Sequence, residues 1–349
     1  MPPTIRNYAQ ALATVPDASK KYLLTGNGFS IALKPDIFTY ASLYDNADFS
    51  TKPYLPQVFE ALSTRDFESV IKHLQSAAAI AAIYLPTHPD LAARLREDAA
   101  FIKEALVQAI AKRHPNRPFD ITDAQYVSCR KFLAPFGHIF TLNYDVMLYW
   151  ALMHTEVDDL DLMPDDGFRH PEENEEAPYV SWLQEQSATV HYLHGALHLF
   201  DNGHEIIKFT WSKTDIPIVE QIRTALAENK FPLFVAEGTS ASKKERIVHN
   251  AYLHKALRSL EGCCKSANGA IVIYGHSLAE NDFHILRCIA NGGIANMLVG
   301  VFGDPNSPGN QVLFKNVEKL VARRISRRGA RYPLTVTYYD AASAHVWDG

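Results

Sequence analysis

The sequence predicts an α/β fold built on a mostly parallel sheet with helices on both faces. Two observations predict it. Short apolar runs of strand character recur along the chain, and amphipathic helical stretches are interleaved with them. A chain of 349 residues, 47% of them hydrophobic, is long enough for one large domain with an insertion.

Taken in order, Lys21 to Thr25 (KYLLT) reads as a buried strand that runs into Gly26-Asn27-Gly28-Phe29-Ser30. Phe67, Val70, Ile71 and Leu74 then fall at i, i+3, i+4 and i+7, the stripe of an amphipathic helix, with Asp66 as its cap. Leu95, Ala99, Ile102, Leu106 and Ile110 make a second stripe, broken by His114-Pro115 and Pro118. Residues 36–135 therefore read as a helical insertion. Strand character returns at His138 to Leu142, followed by Asn143-Tyr144-Asp145 and an apolar helix from Val146 to Met153. Asp158 to Ala177 is acidic, holds Pro164, Gly167 and Pro171, and reads as an exposed loop. Val190 to Leu193, Ile206 to Thr210, Pro232 to Val235 and Ala270 to Tyr274 are further strand candidates. Helices are expected at Ile247 to Leu260 and Asp282 to Ala290. Met297 to Phe302 and Leu334 to Tyr339 close the series.

The formal net charge of -5 and pI near 6.3 argue against a generic nucleic-acid binder, which carries a basic field. The run Arg323, Arg324, Arg327, Arg328 and Arg331 reads first as a solvated helix end and second as a phosphate-contacting surface. Cys129, Cys263, Cys264 and Cys288 form no C-x-x-C pair, so neither a zinc ribbon nor a redox pair is indicated, and a reducing, cytoplasmic setting is expected. Met1 to Val15 has no basic-then-apolar signal pattern, and no stretch approaches the roughly 20 apolar residues of a membrane span.

Candidate chemistry gathers where strands end, the edge at which open α/β sheets bind ligands. Gly26 and Gly28 suit a turn through which backbone approaches a phosphate, and Ser30 adds a hydroxyl; Ile31 stands where a third glycine would complete G-x-G-x-x-G. A plain tight turn explains the same residues. Asn143 supplies a donor and an acceptor and Asp145 a carboxylate, and both also suit helix capping. His194, before Gly195, is placed to take or give a proton. His191 and His198 nearby raise a metal reading, but the spacing matches no familiar ligand set, and no metal is expected. Tyr274-Gly275-His276-Ser277-Leu278 is a further strand end able to meet a ribose or phosphate, or simply to start a helix capped by Ser277, Asn281 or Asp282.

In sequence order, GNGFS, TLNYD, LHG, PLFVAEG and YGHSL resemble the core of sirtuins, and most closely that of the bacterial sirtuin-like NAD-cleaving proteins, some of them antiphage effectors. The resemblance covers residues 20–35 and 135–305. It implies one Rossmann-like, sirtuin-like domain over 1–349, with the helical insertion at 36–135 and a C-terminal extension at 306–349. It implies NAD as substrate, with Gly26, Asn27, Gly28 and Ser30 along the pyrophosphate and ribose, and Asn143 on the nicotinamide ribose or attacking water. Asp145 would bind the carboxamide and His194 would be the general base beside Gly195. Gly275, His276, Ser277 and Asp282 would lie around the adenosine ribose. Asn27 departs from the alanine usual in the sirtuin glycine turn. The missing zinc-ribbon cysteines favour NAD hydrolysis over protein deacylation. A non-catalytic NAD or ADP-ribose binding module and a deacylase are the alternatives. The expected partners are NAD or a related nucleotide, with a homo-oligomer or regulatory partner as a gate, and no membrane.

Overall fold

A computed structural model describes residues 3–171, 177–184, 187–210, 215–329 and 331–349. Eleven strands occur among them: β1 (Ile5–Arg6), β2 (Lys20–Thr25), β3 (His138–Thr141), β4 (Phe168–Arg169), β5 (Tyr179–Trp182), β6 (Val190–Tyr192), β7 (Leu199–Asp201), β8 (Ile206–Phe209), β9 (Gly269–Tyr274), β10 (Asn296–Val301) and β11 (Thr335–Asp340). Seven form one sheet in the order β1-β11-β10-β9-β2-β3-β6, and every pair in it is parallel. The fold is α/β and Rossmann-like, as expected. Read from β6, the strands β6-β3-β2-β9-β10-β11 reproduce the 3-2-1-4-5-6 order of dinucleotide-binding sheets. The order reverses between β2 and β9, so a crevice is expected beyond their carboxyl ends.

The central strands are buried on both faces and are apolar throughout for that reason; all six residues of β9 (GAIVIY) are buried. Between β2 and β3 runs the helical lobe. Its longest pair, Phe67–Tyr84 and Pro89–Arg113, packs together as a hairpin. Phe67, Val70, Ile71 and Leu74 are buried along the expected stripe, each contributing about 1.5–3 kcal/mol. Asp66 caps the first helix by accepting from the backbone N–H groups of Glu68 (3.0 Å) and Ser69 (3.3 Å). The second helix ends at Arg113, where His114-Pro115 was expected to stop it.

Several expectations are corrected. Ile206 to Thr210 does not join the parallel sheet: β8 belongs to a separate four-stranded antiparallel sheet, β4-β5-β8-β7. Pro232 to Val235 is not a strand. The N–H groups of Leu233 and Val235 go to the carbonyls of Leu199 (2.7 Å) and His194 (2.9 Å), so the segment braces a turn instead. Ile247 to Leu260 is two helices, Ser240–Val248 and Ala251–Lys265. Asn250 interrupts them and caps the second by accepting from the Leu253 N–H (3.1 Å). The acidic loop is not uniformly exposed, because Phe168 and Ala177 are buried and β4 pairs with β5; its residues 172–176 lie outside the described ones. The C-terminal segment is no appendage: β11 lies between β10 and the unforeseen β1, and the Trp347 indole donates to the Phe29 carbonyl (2.8 Å). Arg324 is not solvated. It is fully buried at 0% exposure and donates to the carbonyls of Ile289 and Ile294, while Arg323 forms a two-pronged pair with Glu280.

No described helix is long and apolar enough to cross a membrane. The four cysteines are free thiols.

Candidate active site at the switch point of the sheet

A cavity of about 600 Å³ opens at the reversal of strand order. That is within the range that holds a small-molecule ligand. Its wall combines Gly26, Asn27 and Gly28 after β2, Asn143 to Asp145 after β3, and His194 after β6. Gly238, Gly275 to Ser277 and Ala279 to Asp282 come from the later half of the chain, and Asp66, Glu68 and Lys72 from the helical lobe. Asn143 and His194, 51 positions apart in the numbering, therefore face one space.

The glycine turns are set by backbone contact. A Cβ on Gly28 would lie 2.5 Å from Gly275 Cα, and Gly275 itself has φ +66°. The Gly28 N–H donates to the Gly275 carbonyl at 2.9 Å. The turns after β2 and β9 can touch only because both residues lack side chains. Of the residues expected along the phosphates, Gly26, Gly28 and Ser30 donate their N–H groups to backbone carbonyls, as does Phe29 between them. The helix that follows, Gly28–Leu33, has six residues. Asn27 donates from its side chain to the Phe38 carbonyl (3.0 Å), tying the turn to the helical lobe.

Ser30 does not line the cavity; it organises the residues that do. It is fully buried, donates to Asp145 Oδ2 (2.5 Å) and accepts from Asn143 Nδ2 (2.8 Å). A carboxylate only accepts, so the hydroxyl proton of Ser30 goes to Asp145 and its lone pair is left for the Asn143 amide. This fixes the Asn143 side chain with Oδ1 turned away from Ser30. That oxygen is buried without a hydrogen-bond partner among the described residues. Asp145 Oδ1 accepts from the N–H of Met147 (3.0 Å), the first residue of the next helix, whose N-cap position is held by Val146. Burial raises the Asp145 carboxyl above its usual range, against the hydrogen bonds from Ser30 and Met147. Each carboxylate oxygen thus already accepts one hydrogen bond, and Asp145 lines the cavity with acceptor capacity left on both.

His194 also lines the cavity, 2% exposed. Gly195 is not a wall residue. With φ +76° it presses against the chain, and a Cβ there would lie 1.9 Å from the Leu233 carbonyl oxygen. The Val235 N–H and the His194 carbonyl (2.9 Å) complete the clamp that orients His194. His194 Nε2 lies 3.0 Å from His284 Nε2 and 3.8 Å from Asp282 Oδ1. Burial, then the Lys243 ammonium, hold His194 well below the usual histidine range, so it is neutral at physiological pH.

A charged network unforeseen in the sequence backs this wall. Lys243 Nζ donates to Glu68 Oε2 (2.6 Å) and Asp282 Oδ1 (2.8 Å). Burial works against the ammonium, but the two carboxylates outweigh it and hold Lys243 above the usual lysine range. Burial alone would raise Asp282; the Lys243 ammonium and the His276 bond outweigh it and hold that carboxyl well below its range. His276 Nδ1 accepts from the Leu278 N–H (3.0 Å), which leaves Nε2–H to donate to Asp282 Oδ2 (3.0 Å). Asn281 donates to Glu68 Oε2 (3.0 Å), and its own Oδ1 is a second buried acceptor without a partner among the described residues. The Tyr144 hydroxyl donates to the Val235 carbonyl (2.7 Å) and lies 3.1 Å from Glu68 Oε1. Lys243 and His284 escaped the sequence reading because they occupy buried helical faces, Lys243 one turn before Ile247 and His284 beside Ile285.

Among the described residues, His191 and His198 do not join His194 in a cluster of ligand atoms. His191 Nε2 lies 2.9 Å from Ser259 Oγ, and His198 is buried with both ring nitrogens unpartnered among the described residues. His194, Asp282 and His284 do bring three ligand atoms within 4.8 Å of one another. Lys243 already fills the cation's place beside Asp282, His276 takes the other oxygen, and the two imidazoles engage each other.

No curated protein matches the chain. The family described as a domain of unknown function (DUF4917) matches residues 23–347, nearly the whole length and every residue of the cavity wall, and the chain belongs to that family.

Proposed function

We propose that the cavity binds NAD or a closely related nucleotide and hydrolyses the bond between nicotinamide and ribose. The observation that carries this reading is the convergence of Asn143 and His194 on one cavity at the switch point of a 3-2-1-4-5-6 sheet. The orphan Asn143 Oδ1 asks for a donor, which a ribose hydroxyl or the attacking water supplies. Of the wall carboxylates, Glu68 and Asp282 are paired with Lys243 and Glu280 with Arg323, and Lys72 supplies positive charge for phosphate.

In the reaction the C1′–N1 bond breaks, and its electron pair leaves on nicotinamide, which becomes neutral. Water held by Asn143 forms the new bond to C1′. Its proton passes to His194 and then to solvent, and the products are nicotinamide and ADP-ribose. Asp282, 3.8 Å from His194 Nε2, stabilises the imidazolium formed on the way. General-base help of this kind is worth about 10²–10⁴ in rate. Because loss of NAD is toxic to a cell, a defence-effector role would follow from this reading.

The test is incubation of the purified chain with NAD, following nicotinamide and ADP-ribose. Release is expected from the wild type and loss of it from His194→Ala with the fold retained. A folded wild type that binds NAD and releases nothing overturns hydrolysis and leaves a binding module; release that requires an acyl-lysine peptide points to a deacylase.

A further inference from the structure

The Nε2 atoms of His194 and His284 lie 3.0 Å apart, a distance that requires one proton between them. Two N–H groups would clash there, and two lone pairs would repel. Both rings are neutral: burial holds His284 at about 3 and keeps His194 well below its ordinary value. Which ring supplies the proton depends on what each Nδ1 does.

His284 sits at the start of the helix Phe283–Asn291 and does not line the cavity. Its backbone N–H donates to Ser240 Oγ (2.7 Å), and its Nδ1 lies 3.4 Å from the same hydroxyl. Ser240 Oγ, which accepts that backbone N–H through one lone pair, has a second with which to accept from a proton on Nδ1. With Nε2 turned to His194, that proton belongs on Nδ1, and a neutral His284 then has only a lone pair on Nε2. The shared proton then comes from His194, on the nitrogen that faces a carboxylate. Across the pair, Asp282 Oδ1 stands 3.8 Å from His194 Nε2, and Lys243 and His276 hold Asp282 in place. His194 Nδ1 has no hydrogen bond among the described residues, and the ring lines the cavity.

We infer that His284 is a positioning residue: it accepts the Nε2 proton of His194 and so keeps the His194 lone pair on Nδ1, the nitrogen left for the ligand. The inference rests on the NAD-hydrolysis reading for its catalytic meaning, while the proton's position is a property of the folded protein. A histidine base is usually oriented by a carboxylate or carbonyl; here a second, buried imidazole does it, and the carboxylate stands one step back.

The test uses the full chain with ¹⁵N-labelled histidine. A scalar coupling across the hydrogen bond is expected between the two Nε2 atoms, with the proton attached to His194 Nε2 and His284 Nε2 of the unprotonated type. His194→Gln and His284→Gln assign the signals. A proton on His284 Nε2, or no coupling, overturns the inference even if NAD is cleaved. In parallel, His284→Phe, which cannot accept, is expected to lower kcat for nicotinamide release on the order of 10²-fold with KM little changed. His284→Gln, whose side-chain carbonyl can accept, is expected to keep most of the rate. Unchanged kcat in His284→Phe overturns the catalytic role. Should the wild type release no nicotinamide, the NAD reading fails alone and the coupling experiment still decides what His284 does.

Discussion

The two walls of the cavity are built differently. The Asn143 wall is a short chain with no ammonium or imidazole in it, Asp145 to Ser30 to Asn143, ending in one unpartnered oxygen. The His194 wall is a charged network that runs from Glu68 in the helical lobe through Lys243 to Asp282 and the histidines. The first can lose its terminal residue without exposing a buried charge. The second cannot lose an interior member without stranding one, so it holds the lobe to the sheet as well as furnishing the site.

The comparison is broken most forcefully at Lys243. Lys243→Met leaves Glu68 and Asp282 as buried carboxylates with no cation between them, and a destabilisation of about 3–5 kcal/mol is expected in chemical unfolding. A loss under about 1 kcal/mol would mean that the network is not structural. Next in size is acid sensitivity. His191 and His284 are held at about 3 and His114 at about 4, all chiefly by burial, and His194 and His198 are also held low. Because these folded values lie below the unfolded one, the unfolded chain takes up protons first. Stability is nearly complete above about pH 6.5 and is lost as pH falls toward the folded values, so the melting temperature should hold from pH 7.5 to about 6.5 and then drop steadily to pH 5. A flat profile over that range contradicts the buried, neutral histidines.

On the other wall, Ser30→Ala should cost about 1–3 kcal/mol, because Asp145 loses a buried donor, and it should slow nicotinamide release by freeing the Asn143 amide to rotate. Asn143→Ala should have the smallest effect on stability, about 1 kcal/mol, yet reduce nicotinamide release at least on the order of 10²-fold. Were Asn143→Ala to unfold the protein as readily as Lys243→Met, the contrast between the walls would be lost.

Much of this was legible in the chain alone. The order of strands and helices followed from periodicity, because a strand buried on both faces must be apolar throughout and a lobe helix must carry a stripe. Asn143 and His194 stood out because they follow apolar runs, and strand ends face the ligand edge of a parallel sheet. Only the tertiary structure decided which strands are neighbours, and with that the switch point, the cavity and the place of β11 inside the sheet. It also changed the meaning of single residues: Ser30 organises where a ligand contact was expected, Gly195 packs, and Lys243 and His284 enter the site from helical faces that look like core. The physical reason is that periodicity is a local property, written in neighbouring residues. A hydrogen bond between residues 30 and 145, or 194 and 284, depends on how distant segments stack, which no local pattern records.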